Sequence, residues 1–204
     1  MTQTPGATRE QIILAADQLF YAGTVASVSM DRIAERAGVT KKTLYYHFRS
    51  KDDLLAAYVE ARDGVVMQRY RKWAGSEGSV CERIERMFAH LARWATDPGW
   101  RGCGFTRVIC ELADLPGHPA AIAARAHKSG FESWMRELIE EDERSDSAEL
   151  ARMMMILLDG GIVQTLTHRD PAYARAAGAA VRRLLCADRS GEQRQRPLLV
   201  SAHA

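Results

Sequence analysis

An all-α fold is predicted for this chain of 204 residues, and three observations carry it. Apolar residues recur at helical spacing in segment after segment from Ile12 to Leu185. Helix-starting and helix-stopping residues flank those segments, among them Ser29, Gly38, Thr40, Ser50 and Pro171. No internal repeat and no βαβ alternation is present. The segments number about nine.

Taken in order, Met1 to Ala7 reads as a flexible arm, and Thr8 opens a first helix through a capping box with Gln11. Its stripe is Ile12, Ile13, Ala16, Leu19 and Phe20, and Ala22 to Val28 forms a loop. Ser29 caps a short helix whose inner face is Met30, Ile33, Ala34 and Ala37. Gly38 then sits where a left-handed C-cap is needed, and Thr40 caps another short helix with Leu44 and Phe48 turned inward. Ser50 starts a fourth helix that runs to about Trp73 and so leaves one domain for the next. A fifth helix spans about Val80 to Ala95, and a sixth covers FTRVICELADL before Pro116. A seventh begins at His118 or Pro119 and passes through Phe131, Trp134 and Ile139. The most apolar helix spans Leu150 to about Thr167, and Pro171 opens a ninth that reaches about Cys186. From Asp188 the chain is polar and aperiodic, and is read as disordered.

Two short helices joined through a glycine-bearing turn describe a helix-turn-helix. The second of them presents Thr40, Lys41, Lys42, Thr43, Tyr45, Tyr46 and His47, followed by Arg49 and Lys51, with no Asp or Glu from Thr40 to Lys51. Local positive charge of this kind supplies the phosphate attraction that dominates affinity for DNA. Thr and Lys near the helix start reach base edges, while tyrosine hydroxyls and Lys51 reach phosphate oxygens. Ser29 joins the candidate contacts at the start of the preceding helix. Tyr45 and Tyr46 are both placed on the outward side, although one of two adjacent tyrosines on a short helix usually packs inward.

Thr8 to Tyr58 resembles the DNA-binding domain of the TetR family of bacterial transcriptional regulators. The resemblance rests on Ile12, Ile13, Ala16, Leu19, Phe20 and Gly23, followed by SMDRIAERAGVTKKTLYYHFRSKDDLL. It implies a three-helix DNA-binding domain over 1–50 and a helical effector-binding and dimerisation domain over 51–187, with a tail over 188–204. It also implies a homodimer built through the last two long helices. A dimer spaces two recognition helices by about one DNA turn, which predicts a near-palindromic operator.

Composition narrows the alternatives. A net charge of +2 confines any nucleic-acid binding to a local patch. No apolar run is expected to span a membrane and the N-terminus has no signal-peptide core, so a cytoplasmic location is expected. Cys81, Cys103, Cys110 and Cys186 show no CxxC spacing and are read as free thiols. Cys103 and Cys110, seven positions apart, would share a helix face, and a redox-sensing regulator using them is the alternative reading. No HExxH, GxSxG or P-loop is present, and Asp159 and His168 stand apart on one helix, so no enzyme, cofactor or metal site is expected.

The second half carries two further expectations. The last two helices offer more apolar surface than one domain needs. Their small residues Gly160, Gly161, Ala172, Ala176, Ala177, Gly178 and Ala180 permit close approach in a four-helix interface. The middle helices supply a candidate pocket for an apolar or aromatic small-molecule effector, lined by Met67, Tyr70, Met87, Leu91, Trp94, Phe105, Trp134, Met154 and Leu158. Arg107, Glu111, Asp159, Gln164 and His168 are its candidate polar groups. The combined expectation is a dimeric repressor released from its operator by that effector.

Overall fold

The structure, a computed structural model, describes residues 5–187. Nine α-helices follow one another among the described residues: α1 (Pro5–Ala22), α2 (Met30–Arg36), α3 (Lys41–His47), α4 (Lys51–Ala74), α5 (Val80–Trp94), α6 (Gly104–Glu111), α7 (Pro119–Glu140), α8 (Ser147–His168) and α9 (Ala172–Ala187). Ser29, Thr40 and Ser50 each accept a hydrogen bond from the N–H three residues on, and Ser79 with Glu82 completes a capping box. Gly38, at φ 64°, closes α2 in a Schellman turn. In that turn the Val39 N–H reaches Ala34 O and the Gly38 N–H reaches Glu35 O, both at 3.0 Å.

Two cores meet along one helix. The first gathers Ile12, Ala16 and Phe20 of α1, Ile33 of α2, Leu44 of α3 and Leu54, Leu55 and Tyr58 of α4, and continues into Phe105, Val108, Ala120 and Ala124. The second joins Tyr70 and Ala74 of α4 to Ile84, Phe88 and Leu91 of α5, Phe131 and Leu138 of α7, Met154 and Leu158 of α8 and Val181 of α9. Val66 packs against both. Helix α4 therefore passes without a break from one core into the other.

Several boundaries differ from expectation. Helix α1 starts at Pro5 rather than Thr8, because proline is tolerated in a first helical turn and the residues after it continue the helix. The expected capping box is absent, and the Gln11 amide instead donates to Ala37 O at 2.8 Å. Residues 5–7 of the expected arm are thus helical, whereas residues 1–4 and the tail from 188 lie outside the described residues. Helix α6 ends at Glu111, and the remainder up to His118 is a chain of turns. Pro116 opposes helical conformation in Leu115, which keeps α6 from running on into α7. Helix α8 begins at Ser147, one turn before the expected start. By length and mean hydropathy (1.2) α8 is just apolar enough to cross a membrane, and 44% of that stretch is buried inside the protein. Within the fold it lies against α7 and α9, and that packing accounts for its apolar inner face.

Small residues do part of the expected work inside the chain. A methyl group on Gly161 would come within 2.9 Å of Ala177 Cβ, and one on Gly178 within 2.7 Å of Phe88 Cβ. Gly161, Ala177 and Gly178 therefore serve the contacts of α9 with α8 and α5, not an external face. Gly160, by contrast, is open, on the same outward stripe as Ile156 (67% exposed) and Val163 (46% exposed).

Gly38→Ala should lower stability by about 1 kcal/mol, because an L side chain is strained at this positive φ while nothing else crowds the site. Chemical denaturation with an unchanged slope against denaturant is the check.

Candidate nucleic-acid interface and effector cavity

Helix α3 is held from beneath and open above. Leu44 and Phe48 are buried, while Lys41, Lys42, Tyr45 and Tyr46 are exposed and Thr43 and His47 are half-buried. Tyr45 is 42% exposed and Tyr46 80%, so both stand on the outer side of the helix. Seven residues make less than two helical turns beyond the cap, and Leu44 and Phe48 already fill the inward positions. The Tyr46 ring meets His47 edge-on at 5.1 Å, and Arg9 of α1 lies over Phe48 at 5.1 Å. Lys41 pairs with Asp31 of α2 at 2.7 Å, and that hydrogen bond and charge hold its pKa above the ordinary value. Ser29 and Thr40 use their side-chain oxygens as caps, so each turns its hydroxyl to its own helix start. Lys51 opens α4 half-buried beside this face.

A second site lies between α4, α5, α6, α7 and α8. Of the expected pocket residues, Tyr70, Leu91, Trp94, Phe105, Leu158 and Asp159 line one internal cavity. The remaining space is about 30 Å³, roughly room for one or two waters. Met87, Met154 and Trp134 are instead buried in the second core, and Met67 packs partly against it. Gln164 is exposed, and exposed His168 stacks on Tyr173 with ring centroids 4.7 Å apart.

Arg107 and Glu111 face the other way. The Arg107 guanidinium donates to Tyr21 O at 2.8 Å and to Gly23 O, and Glu111 accepts from the Val25 N–H at 2.6 Å. Both side chains thus fasten the end of α1 and its loop to α6. Tyr21 adds a third tie, accepting from the Arg101 N–H at 3.0 Å and donating to Gly102 O at 3.2 Å.

The cavity's polar groups are largely ones the sequence reading passed over. The Lys128 ammonium meets Asp159 at 2.5 Å. Burial works against that charge, but neighbouring Cys103 and Asp159 outweigh it and hold the pKa above its ordinary value. Cys103 lines the cavity as the residue before α6, whereas Cys110 on the helix is exposed. Because α6 starts only after Cys103, the two thiols do not share a helix face and meet different surroundings. The side chain of Cys186 lies outside the described residues. Arg62 borders the cavity, pairs with Asp17 of α1 and lies over Tyr21 at 4.8 Å. Burial pushes the neighbouring Tyr58 hydroxyl up to about 12, and Tyr70 is pushed up further by the same cause. No signal at helical spacing marks Arg62 or Lys128, since charged residues are normal on exposed faces of long helices.

An exposed cationic second helix on a helix-turn-helix, joined through α4 to a helical domain with an internal cavity, defines a DNA-binding transcriptional regulator. Residues 12–58 match the family model described as bacterial regulatory proteins, tetR family. BepR, a transcriptional repressor of Brucella suis biovar 1, is 40% identical over 178 residues, covering 81% of this chain and 83% of BepR. The chain belongs to the TetR family, and it is a transcriptional regulator, not an enzyme. The crystal structure of SCO4454, a TetR-family transcriptional regulator from Streptomyces coelicolor, matches with a TM-score of 0.78 at 28% identity, over 88% of this chain and 96% of that one. With TtgR of Pseudomonas putida the likeness is 44% over 54 residues, and the matched chain spans only 26% of that relative's length.

His127 supplies a pH response. Its ring stacks on Phe105 with centroids 3.5 Å apart and its Nδ1 meets Asp63 at 2.6 Å. Burial outweighs that hydrogen bond and holds the imidazole pKa below its ordinary 6.5. The folded chain therefore holds fewer protons at this ring than the unfolded chain does below about pH 6.5. Stability should fall as the pH drops from about 7 to about 5.5, and His127→Gln should flatten that slope while lowering stability at neutral pH. Denaturation curves at the two pH values decide it.

Proposed function

We propose that this regulator is a homodimeric repressor which binds a near-palindromic operator and is released by an apolar or aromatic small molecule. In this reading residues 1–50 bind DNA, and residues 51–187 hold the effector and join the two subunits. Ser29, Thr40, Lys41, Lys42, Thr43, Tyr45, Tyr46, His47 and Lys51 provide the DNA contacts. Lys42 and the Thr40–Thr43 pair face bases, and the tyrosines and Lys51 face phosphates. Lys41 leaves Asp31 to meet a phosphate as the duplex approaches. The partner subunit packs on the open stripe of α8 at Ile156, Gly160 and Val163, together with the outer face of α9. A cytoplasmic location accords with a chromosomal target.

The observation that carries the reading is the course of α4. Its first turns sit in the core beneath α3, and its later turns wall the cavity. A ligand that prefers a wider cavity therefore prefers a different placement of the DNA-binding helices, and its differential affinity sets how far the equilibrium moves.

Selection of bound duplexes from a random pool should return a two-fold-symmetric site with half-sites about one turn apart. An asymmetric or absent consensus overturns the reading. Lys42→Ala should weaken operator binding by about 1–3 kcal/mol if it reads a guanine. Val163→Glu should yield a folded monomer in sedimentation and lose most operator affinity, since each half-site then binds alone.

A further inference from the structure

Two buried donors bordering the cavity have no acceptor. Trp100 is 5% exposed, it lines the cavity, and its Nε1–H is unpartnered. Arg62, also on the cavity wall, has an unpartnered buried Nε–H, although its Nη1 pairs with Asp17. Buried donors are seldom left this way, because losing water without gaining an acceptor is unfavourable.

The charges, by contrast, are already matched. Arg62 has Asp17 and Lys128 has Asp159, while His127 is biased by burial toward its neutral form. An anion brought into this space would add an unbalanced charge to a poorly solvated site. What these two donors lack is an acceptor, not a countercharge. Tyr70, Trp94, Phe105, Phe131 and Leu158 make the rest of it flat-faced and apolar.

We propose that the cavity takes a neutral aromatic ligand bearing carbonyl or ether oxygen, which accepts from Trp100 Nε1–H and Arg62 Nε–H. This rests on the ligand-responsive reading above and adds to it the class of ligand and the side chain through which it acts. Because the space left is about 30 Å³, the ring enters only as the helices around it part. Arg62 is drawn toward the ligand oxygen while its other end holds Asp17 on α1. The incoming acceptor thus pulls on the same guanidinium that ties α1 to α4.

The test titrates the full-length protein, free of DNA, with methyl naphthyl ketone, ethylnaphthalene and naphthoate, followed by tryptophan fluorescence. The ketone should bind about tenfold more tightly than the similarly shaped hydrocarbon, the difference made by one buried hydrogen bond. It should also bind more tightly than the anion. In Trp100→Phe the ketone's advantage should shrink, with Arg62 Nε–H left as the one donor, while the hydrocarbon's affinity is nearly unchanged. Equal binding of ketone and hydrocarbon to the wild type overturns the proposal, as does tightest binding by naphthoate, or no binding by any probe. The wild-type comparison decides the ligand class even if Trp100→Phe does not fold. Operator binding is measured on the same samples. Failure of the probes with operator binding intact sinks this inference alone, whereas a chain that binds the ketone but no duplex sinks the repressor reading instead.

Discussion

The structure depends on one helix being shared by two cores. Leu54, Leu55 and Tyr58 anchor α4 among α1, α2 and α3, and Tyr70 and Ala74 anchor it among α5, α7 and α8. No glycine or proline kink releases the two ends from one another: Gly64 lies between them with helical neighbours on both sides. Close-packed interiors shift as units, so a displacement at the cavity end must reappear beneath α3 or be absorbed at the α1 contacts. Those contacts are polar. Arg62 to Asp17, Arg107 to Tyr21 and Gly23, and Glu111 to Val25 all fasten α1 or its loop to α4 or α6. Polar ties are lost when the partners move apart by an ångström or two, whereas apolar contacts slide. In the proposed ligand response the α1 side is therefore where a small motion becomes a discrete change.

The same interface explains where charge is buried. Arg62 and Lys128 each enter the interior with a carboxylate in reach, and His127 does so largely without charge. Burying a paired charge is tolerated only when the geometry is kept. A pair spanning two helices, such as Lys128 of α7 with Asp159 of α8, therefore fixes the register of those helices.

Much of this was legible in the sequence, and what was not has physical causes. Ser29, Gly38, Thr40 and Ser50 announce their roles through capping chemistry that is local in the chain, and each performs it. Leu44 and Phe48 follow from helical spacing alone. Arg107 and Glu111 share a face on α6, but spacing does not say which neighbour that face meets, and here it is the end of α1. Met87, Met154 and Trp134 have the composition of pocket residues, yet composition cannot separate a wall from a core two residues away. Arg62, Trp100 and Lys128 were missed for the opposite reason, since their importance lies in partners far along the chain.

Small residues show the same division on α8 and α9. Gly161 and Gly178 are fixed by intrachain neighbours that leave no space for a methyl group, so they set how closely α9 approaches α8 and α5. Gly160 has nothing near it and stands between Ile156 and Val163 on the outward stripe. An apolar stripe with a flat centre is poorly suited to water and well suited to another helix face. Since α9 is seated by the inner glycines and α8 carries the outer one, the position of any surface laid on that stripe is tied to the second core. That core shares α4 with the DNA-binding helices. In the proposed dimer the distance between the two α3 helices is therefore set by the packing of α4 against α5 and α7, helices that also wall the cavity.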